Sequence, residues 1–254
     1  MEERNNIRQL NIENTISQAW ALTKKHLPIF LLLTFLIQSV GGIPQSVYYS
    51  EYMKAIMESG TVITEEQWLE MADPATLISV GIFTILAGIL CWLIQIYLTI
   101  VGYRLLDDAV KGEKPNLTNR LKDGLRGYGM AFITYISYSF IVCLGVLACI
   151  LPGVFLAVRL IFTPVIAVLH PERTFSECFS QSWNMTKGHF WKLLIMGIVA
   201  ILLNILGFIC CCVGVLVTSI ITYFMLILAY RTLSGETEEK REDFTSENLT
   251  IVSE

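Results

Sequence analysis

The sequence predicts an all-α integral membrane protein: six transmembrane helices arranged as three repeats of an amphipathic surface helix plus a transmembrane hairpin, with both termini cytoplasmic. Three observations predict it. Apolar residues fill 54% of the 254 positions while charged residues fill only 16%, and the mean hydropathy is +0.59; a soluble domain of similar apolar share carries about a quarter charged residues. Six apolar runs stand along the chain, each near the ~20 residues that a bilayer core requires of a helix. Lysine and arginine gather in alternate connections, as they do on the cytoplasmic side of inserted proteins.

The first element is polar. Residues 1–26 carry Arg4, Arg8, Lys24 and Lys25 and no apolar run before a small-residue cleavage site, so the first span is expected to serve as the insertion signal itself. The spans are expected at Leu27–Tyr48, Ala75–Tyr103, Tyr128–Ile150, Gly153–Leu169, Phe190–Phe208 and Val213–Tyr230. Leu151-Pro152-Gly153 alone separates the third from the fourth, and Cys210-Cys211-Cys212 the fifth from the sixth. Links that short make tight antiparallel hairpins. One side collects Arg104, Lys111, Lys114, Arg120, Lys122, Arg126, Arg173, Lys187, Lys192, Arg231, Lys240 and Arg241, and the other only Lys54. That places both termini inside and the acidic loop 49–74 outside. Within the loop, Thr64 to Gln67 ahead of Trp68 has the pattern of a capping box opening a short helix.

An internal repeat underlies these elements. Ser17-Gln18-Ala19-Trp20-Ala21-Leu22-Thr23-Lys24-Lys25-His26 matches Ser180-Gln181-Ser182-Trp183-Asn184-Met185-Thr186-Lys187-Gly188-His189 at six of ten positions. Apolar residues at steps of three and four make both segments amphipathic helices. Asn11 and Thr174 stand at their N-cap positions, and Glu177 completes a capping box with Thr174. A fainter copy starts at Asn116 and puts Leu117, Leu121, Leu125, Tyr128 and Phe132 on one face. Tyr103-Arg104-Leu105-Leu106 and Tyr230-Arg231-Thr232-Leu233 end two of the hairpins alike. The membrane domain is thus 1–233, with repeats at about 11–106, 116–170 and 174–233. The acidic tail 234–254 is too poor in apolar residues to fold alone. Trp20 and Trp183, with Lys24, Lys25 and Lys187, are expected as interfacial anchors among lipid headgroups.

Arg159 is the notable candidate for chemistry. It lies inside the fourth span, and the six expected spans hold no Asp or Glu to pair with it. A charge there points to a ligand-binding or transport site, with Thr163 and His170 along the same helical stripe and Pro164 freeing a backbone carbonyl beside it. The alternative is that Arg159 snorkels to the outer headgroups. The polar residues Gln38, Gln95, Tyr135, Tyr138, Asn204, Thr222 and Tyr223 line an interior or join helices. The chain has no HExxH, GxSxG or Walker A sequence, and its cysteines lack metal-site spacing, although Cys149 and Cys210–Cys212 fall on the outer side, where a disulfide can form. No catalytic residue, cofactor, metal or nucleic-acid partner is expected.

Leu151-Pro152-Gly153, Arg159, Phe162-Thr163-Pro164 and Ser180-Gln181-Ser182-Trp183 through Thr186-Lys187-Gly188 together resemble a large, mostly uncharacterised bacterial membrane family. That family is similar to the membrane domain attached to some glycerophosphoryl diester phosphodiesterases. The resemblance spans most of the chain and implies a bacterial cytoplasmic membrane location and a relation to lipid. The phosphodiesterase domain has no counterpart here, so its activity does not carry over. The expected function is therefore non-enzymatic, the binding of membrane lipid or of a partner membrane protein; the alternative is a transporter or channel for a small or anionic solute with Arg159 in its path.

Overall fold

The computed structural model describes residues 10–61, 64–125, 127–209 and 212–235. The tail from 236, Arg126 and the Cys210-Cys211 pair lie outside the described residues. The described chain is helical throughout, without strands: α1 Ile12–Ser59, α2 Glu65–Met71, α3 Pro74–Val110, α4 Leu117–Asp123, α5 Tyr128–Ala148, α6 Ile150–Arg159, α7 Thr163–Leu169, α8 Phe175–Met185, α9 Phe190–Ile209 and α10 Cys212–Ser234. Six segments are long and apolar enough to cross a membrane: Ile12–Ser46, Leu77–Val110, Tyr128–Ala148, Ile150–Leu169, Phe190–Ile209 and Gly214–Ser234. Their flanks leave Leu147, Leu151 and Phe208 more than three-quarters exposed, which suits lipid and not water. The chain is a multi-pass helical membrane protein.

The described residues divide into two units, 32–99 and the remainder. In the 32–99 unit, Gln95 donates its amide to the Ile37 carbonyl at 3.3 Å, a polar tie between two apolar helices. Helix α2 opens on Thr64 with the capping box formed: Thr64 N–H donates to the Gln67 side chain at 2.8 Å, and Gln67 N–H donates to Thr64 Oγ1 at 3.3 Å. Trp68 is buried and meets the Tyr52 ring edge-on at 6.1 Å. Helix continues from the first span to Ser59, so more of 49–74 is helical than its acidic composition suggests.

The other unit holds two hairpins with very close tips. A methyl group on Gly153 would lie 2.5–2.8 Å from Val146 atoms, and one on Gly214 would lie 2.3 Å from the Gly207 carbonyl oxygen. Only glycine lets α5 meet α6, and α9 meet α10, at this distance. Asn204 adds side-chain bonds across the second hairpin, donating to Thr222 Oγ1 at 3.0 Å and accepting from Thr218 Oγ1 at 3.3 Å.

The first surface helix gives way to the first span at His26, where a φ of −118° and a ψ of 18° leave the helical region. Three features differ from the sequence reading. The second span runs past Tyr103 to Val110 and carries Asp107 and Asp108 with it. The fourth span is broken between Arg159 and Thr163. The face from Leu117 to Phe132 is split between α4 and α5, because Gly127 takes a left-handed φ of 78° between them, and Leu125 is 72% exposed. Periodicity alone does not register such a break.

Candidate functional site

Two charged places in the larger unit draw on residues from several helices. The first is the break in the fourth span. Pro164 has no N–H to offer the Leu160 carbonyl. The Thr163 N–H turns to it instead, at 2.9 Å, closing a tight turn. The Arg159 carbonyl, which Thr163 would otherwise occupy in a regular helix, is thereby released. Ser182 of α8 and Thr186, which caps that helix, take it with their hydroxyls at 3.0 and 3.2 Å. Both side chains are fully buried.

The Arg159 side chain turns to the same helix. Its guanidinium lies over the Trp183 ring at 4.9 Å and the Phe155 ring at 5.4 Å. It also donates to the Trp183 carbonyl and to Thr186 Oγ1, both at 3.4 Å. Aromatic faces, one carbonyl oxygen and a hydroxyl thus take the place of a carboxylate. Arg159 Nε remains buried without a hydrogen-bond partner among the described residues, as do the hydroxyls of Thr163 and Thr134.

The structure does not carry the predicted stripe on one helix: Arg159 ends α6, whereas Thr163 begins α7. His170 caps the far end of α7, its Nε2 3.1 Å from the Tyr230 hydroxyl and its Nδ1 3.4 Å from Glu172. Of the expected anchors, Trp20 is 47% exposed with the Lys24 ammonium 5.5 Å from its ring, and Lys25 and Lys187 are exposed. Trp183, its repeat counterpart, is half-buried against Arg159. The two matching sequences therefore hold their tryptophans in different surroundings.

The second place is a cavity of about 500 Å³ where α3, α7 and the entry to α5 come together with α4. Arg104, Lys111 and Arg120 line it, with Asp107, Asp108, Asp123 and Glu172, and with Val168, Leu169 and Pro171 as an apolar wall. Asp108 accepts two hydrogen bonds from Arg120, at 2.7 and 2.6 Å. This contact, more than any other, raises Arg120 above its ordinary pKa. Asp107 is shared: Arg231 reaches it from α10 at 2.7 Å, and Lys111 from the next turn at 2.7 Å. Asp107 and Arg231 are both buried. Arg104 donates to the carbonyls of Asp123 at 2.6 Å and Val168 at 3.3 Å, tying α3 to the end of α4 and the end of α7.

Reading the sequence missed this cavity. The repeated Tyr-Arg ending of two hairpins marks Arg104 and Arg231, but the carboxylates that Arg231 and Arg120 meet, Asp107 and Asp108, stand one turn beyond the expected end of the second span. The acidic pair Asp107-Asp108, so close to an apolar run, is the signal in the sequence that marks the cavity. Among the described residues no group of three His, Cys, Asp or Glu side chains could hold a metal ion. Comparison with protein-family models, with curated proteins and with solved structures gives no match to this chain.

Proposed function

We propose that this chain is a non-enzymatic, multi-pass protein of the bacterial cytoplasmic membrane that binds membrane lipid, with both termini inside and the charged cavity at the level of the inner headgroups. The cavity carries the reading, because charged and apolar walls meet there where three apolar segments end. Its cations and acids nearly balance. Such a cavity exerts little pull on a free polyanion, but offers both partners to a headgroup bearing a phosphate and an ammonium. The phosphate would take the place of Asp108 or lie beside it on Arg120, and the ammonium would face Asp123 and Glu172, which are exposed.

Native mass spectrometry of the detergent-purified protein, titrated with phosphatidylethanolamine and separately with phosphatidylglycerol, tests the reading. The expected outcome is preferential retention of the zwitterionic lipid by the wild type and its loss in Arg120→Gln. Equal, weak retention of both lipids by both proteins would contradict it.

One observation favours a second reading, a conduit for a small anion. Arg159 Nε and the Thr163 and Thr134 hydroxyls are buried donors with no protein acceptor among the described residues. Anion flux into liposomes containing the wild type, abolished in Arg159→Ala, would support it; no flux leaves lipid binding as the function.

A further inference from the structure

Starting beside Arg104 and running deeper than the charged cavity, four tyrosines from three helices cluster: Tyr103 of α3, Tyr135 and Tyr138 of α5, and Tyr223 of α10. Tyr103 and Tyr223 meet edge to face, their ring centroids 5.8 Å apart at 88°. Tyr135 and Tyr138 stand near enough to interact electrostatically with Tyr103, and Tyr135 also with Tyr223. Tyr135 and Tyr223 are 37% and 38% exposed, open to the lipid-facing side, while Tyr103 and Tyr138 are half-buried behind them. No hydrogen bond joins any of the four hydroxyls to another described residue. A phenol in the hydrocarbon layer that lacks an acceptor is costly. Four such donors in one place therefore call for a ligand rich in acceptors. Among the described residues no lysine, arginine or carboxylate interacts with the tyrosines, so the acceptor that fits them is uncharged.

Depth narrows the class further. Tyr103 adjoins the cavity-lining Arg104 and lies about 6 Å along α3 from Asp107. Tyr135 is eight residues past Gly127, a cavity-lining residue, or about 12 Å along α5. In a glycerolipid the ester carbonyls sit just below the phosphate, at the edge of the hydrocarbon. We infer that the tyrosine cluster binds the ester carbonyls of a glycerolipid whose headgroup occupies the charged cavity, the lipid entering sideways past Tyr135 and Tyr223. The inference rests on the lipid-binding reading and assigns the second half of the site.

The test compares a diester phosphatidylethanolamine with its diether analogue, which has the same headgroup and chains but no carbonyls. Both are titrated into the full-length protein in detergent and followed by native mass spectrometry. The wild type is expected to hold the diester at least roughly fivefold more tightly, the worth of about one net hydrogen bond. The paired variant Tyr103→Phe with Tyr223→Phe keeps both rings and is expected to bind the two lipids equally. Equal binding of diester and diether by the wild type, with Arg120→Gln still weakening both, would overturn the tyrosine assignment and leave the headgroup site standing. Failure of the wild type to retain either lipid would overturn both.

Discussion

At the scale of single residues, Arg159 shows how a charge can be held in an apolar span with no counter-ion among the described residues. Two aromatic faces and a carbonyl oxygen receive the guanidinium. Cation–π contacts away from water contribute roughly 1–2 kcal/mol each. Arg159→Ala should therefore lower stability by about 2 kcal/mol, read by unfolding in mixed micelles, and should shift the Trp183 emission. Arg159→Lys should not restore it, because an ammonium lacks the planar face that stacks on both rings. Unchanged unfolding in Arg159→Ala would mean that these contacts contribute nothing. The arginine itself was legible in the sequence as a charge inside an apolar run. Its partners were not, because a search for an opposite charge passes over tryptophan rings and carbonyls 24 to 27 residues further on.

Among the elements, α8 shows the closest agreement between sequence and structure. Thr174, Glu177 and the apolar spacing fix where it begins, and the helix starts there. The Thr174 backbone N–H donates to the Glu177 carboxylate at 2.8 Å, and this bond, followed by one from the Thr174 side chain, holds Glu177 below its ordinary pKa of 4.5. A carboxyl whose folded pKa is lowered contributes its stabilisation above the unfolded value and loses it as pH falls through the folded one. The first turn of α8 should stay protected from amide exchange above about pH 4.5 and open below it, and Glu177→Gln should flatten that dependence. Protection that is flat across this range in the wild type would remove the cap from the account. The copy starting at Asn116 was legible only in its cap, where Asn119 N–H donates to Asn116 Oδ1 at 3.4 Å. Its apolar spacing continues past the end of α4 at Asp123 and through the left-handed Gly127 that begins the next helix. The break in the fourth span was half legible: Pro164 announces a freed carbonyl, but only the fold brings Ser182 and Thr186 to it.

For the whole molecule, the Asp107–Arg231 pair joins chain segments 124 residues apart, on α3 and α10. Removing one partner from a buried pair leaves an uncompensated charge and costs about 3–5 kcal/mol. Asp107→Asn should show that loss, and adding Arg231→Met should recover much of it; additive losses in the double variant would show that the two residues are not coupled. The six long apolar helices were legible because lipid demands such helices and tolerates few alternatives. The charged cavity was not, since it depends on where α3 ends and on contacts between distant segments. The central claim is that this charged end faces the cytoplasm, where inner-leaflet headgroups can reach it. A membrane-impermeant amine reagent applied to intact cells, with modified lysines located by mass spectrometry, tests it most directly. The account predicts that Lys54 alone is modified in intact cells, and that Lys111, Lys114, Lys122, Lys187 and Lys192 react only after the membrane is opened. Labelling of Lys111 or Lys187 in intact cells, with Lys54 spared, would contradict it.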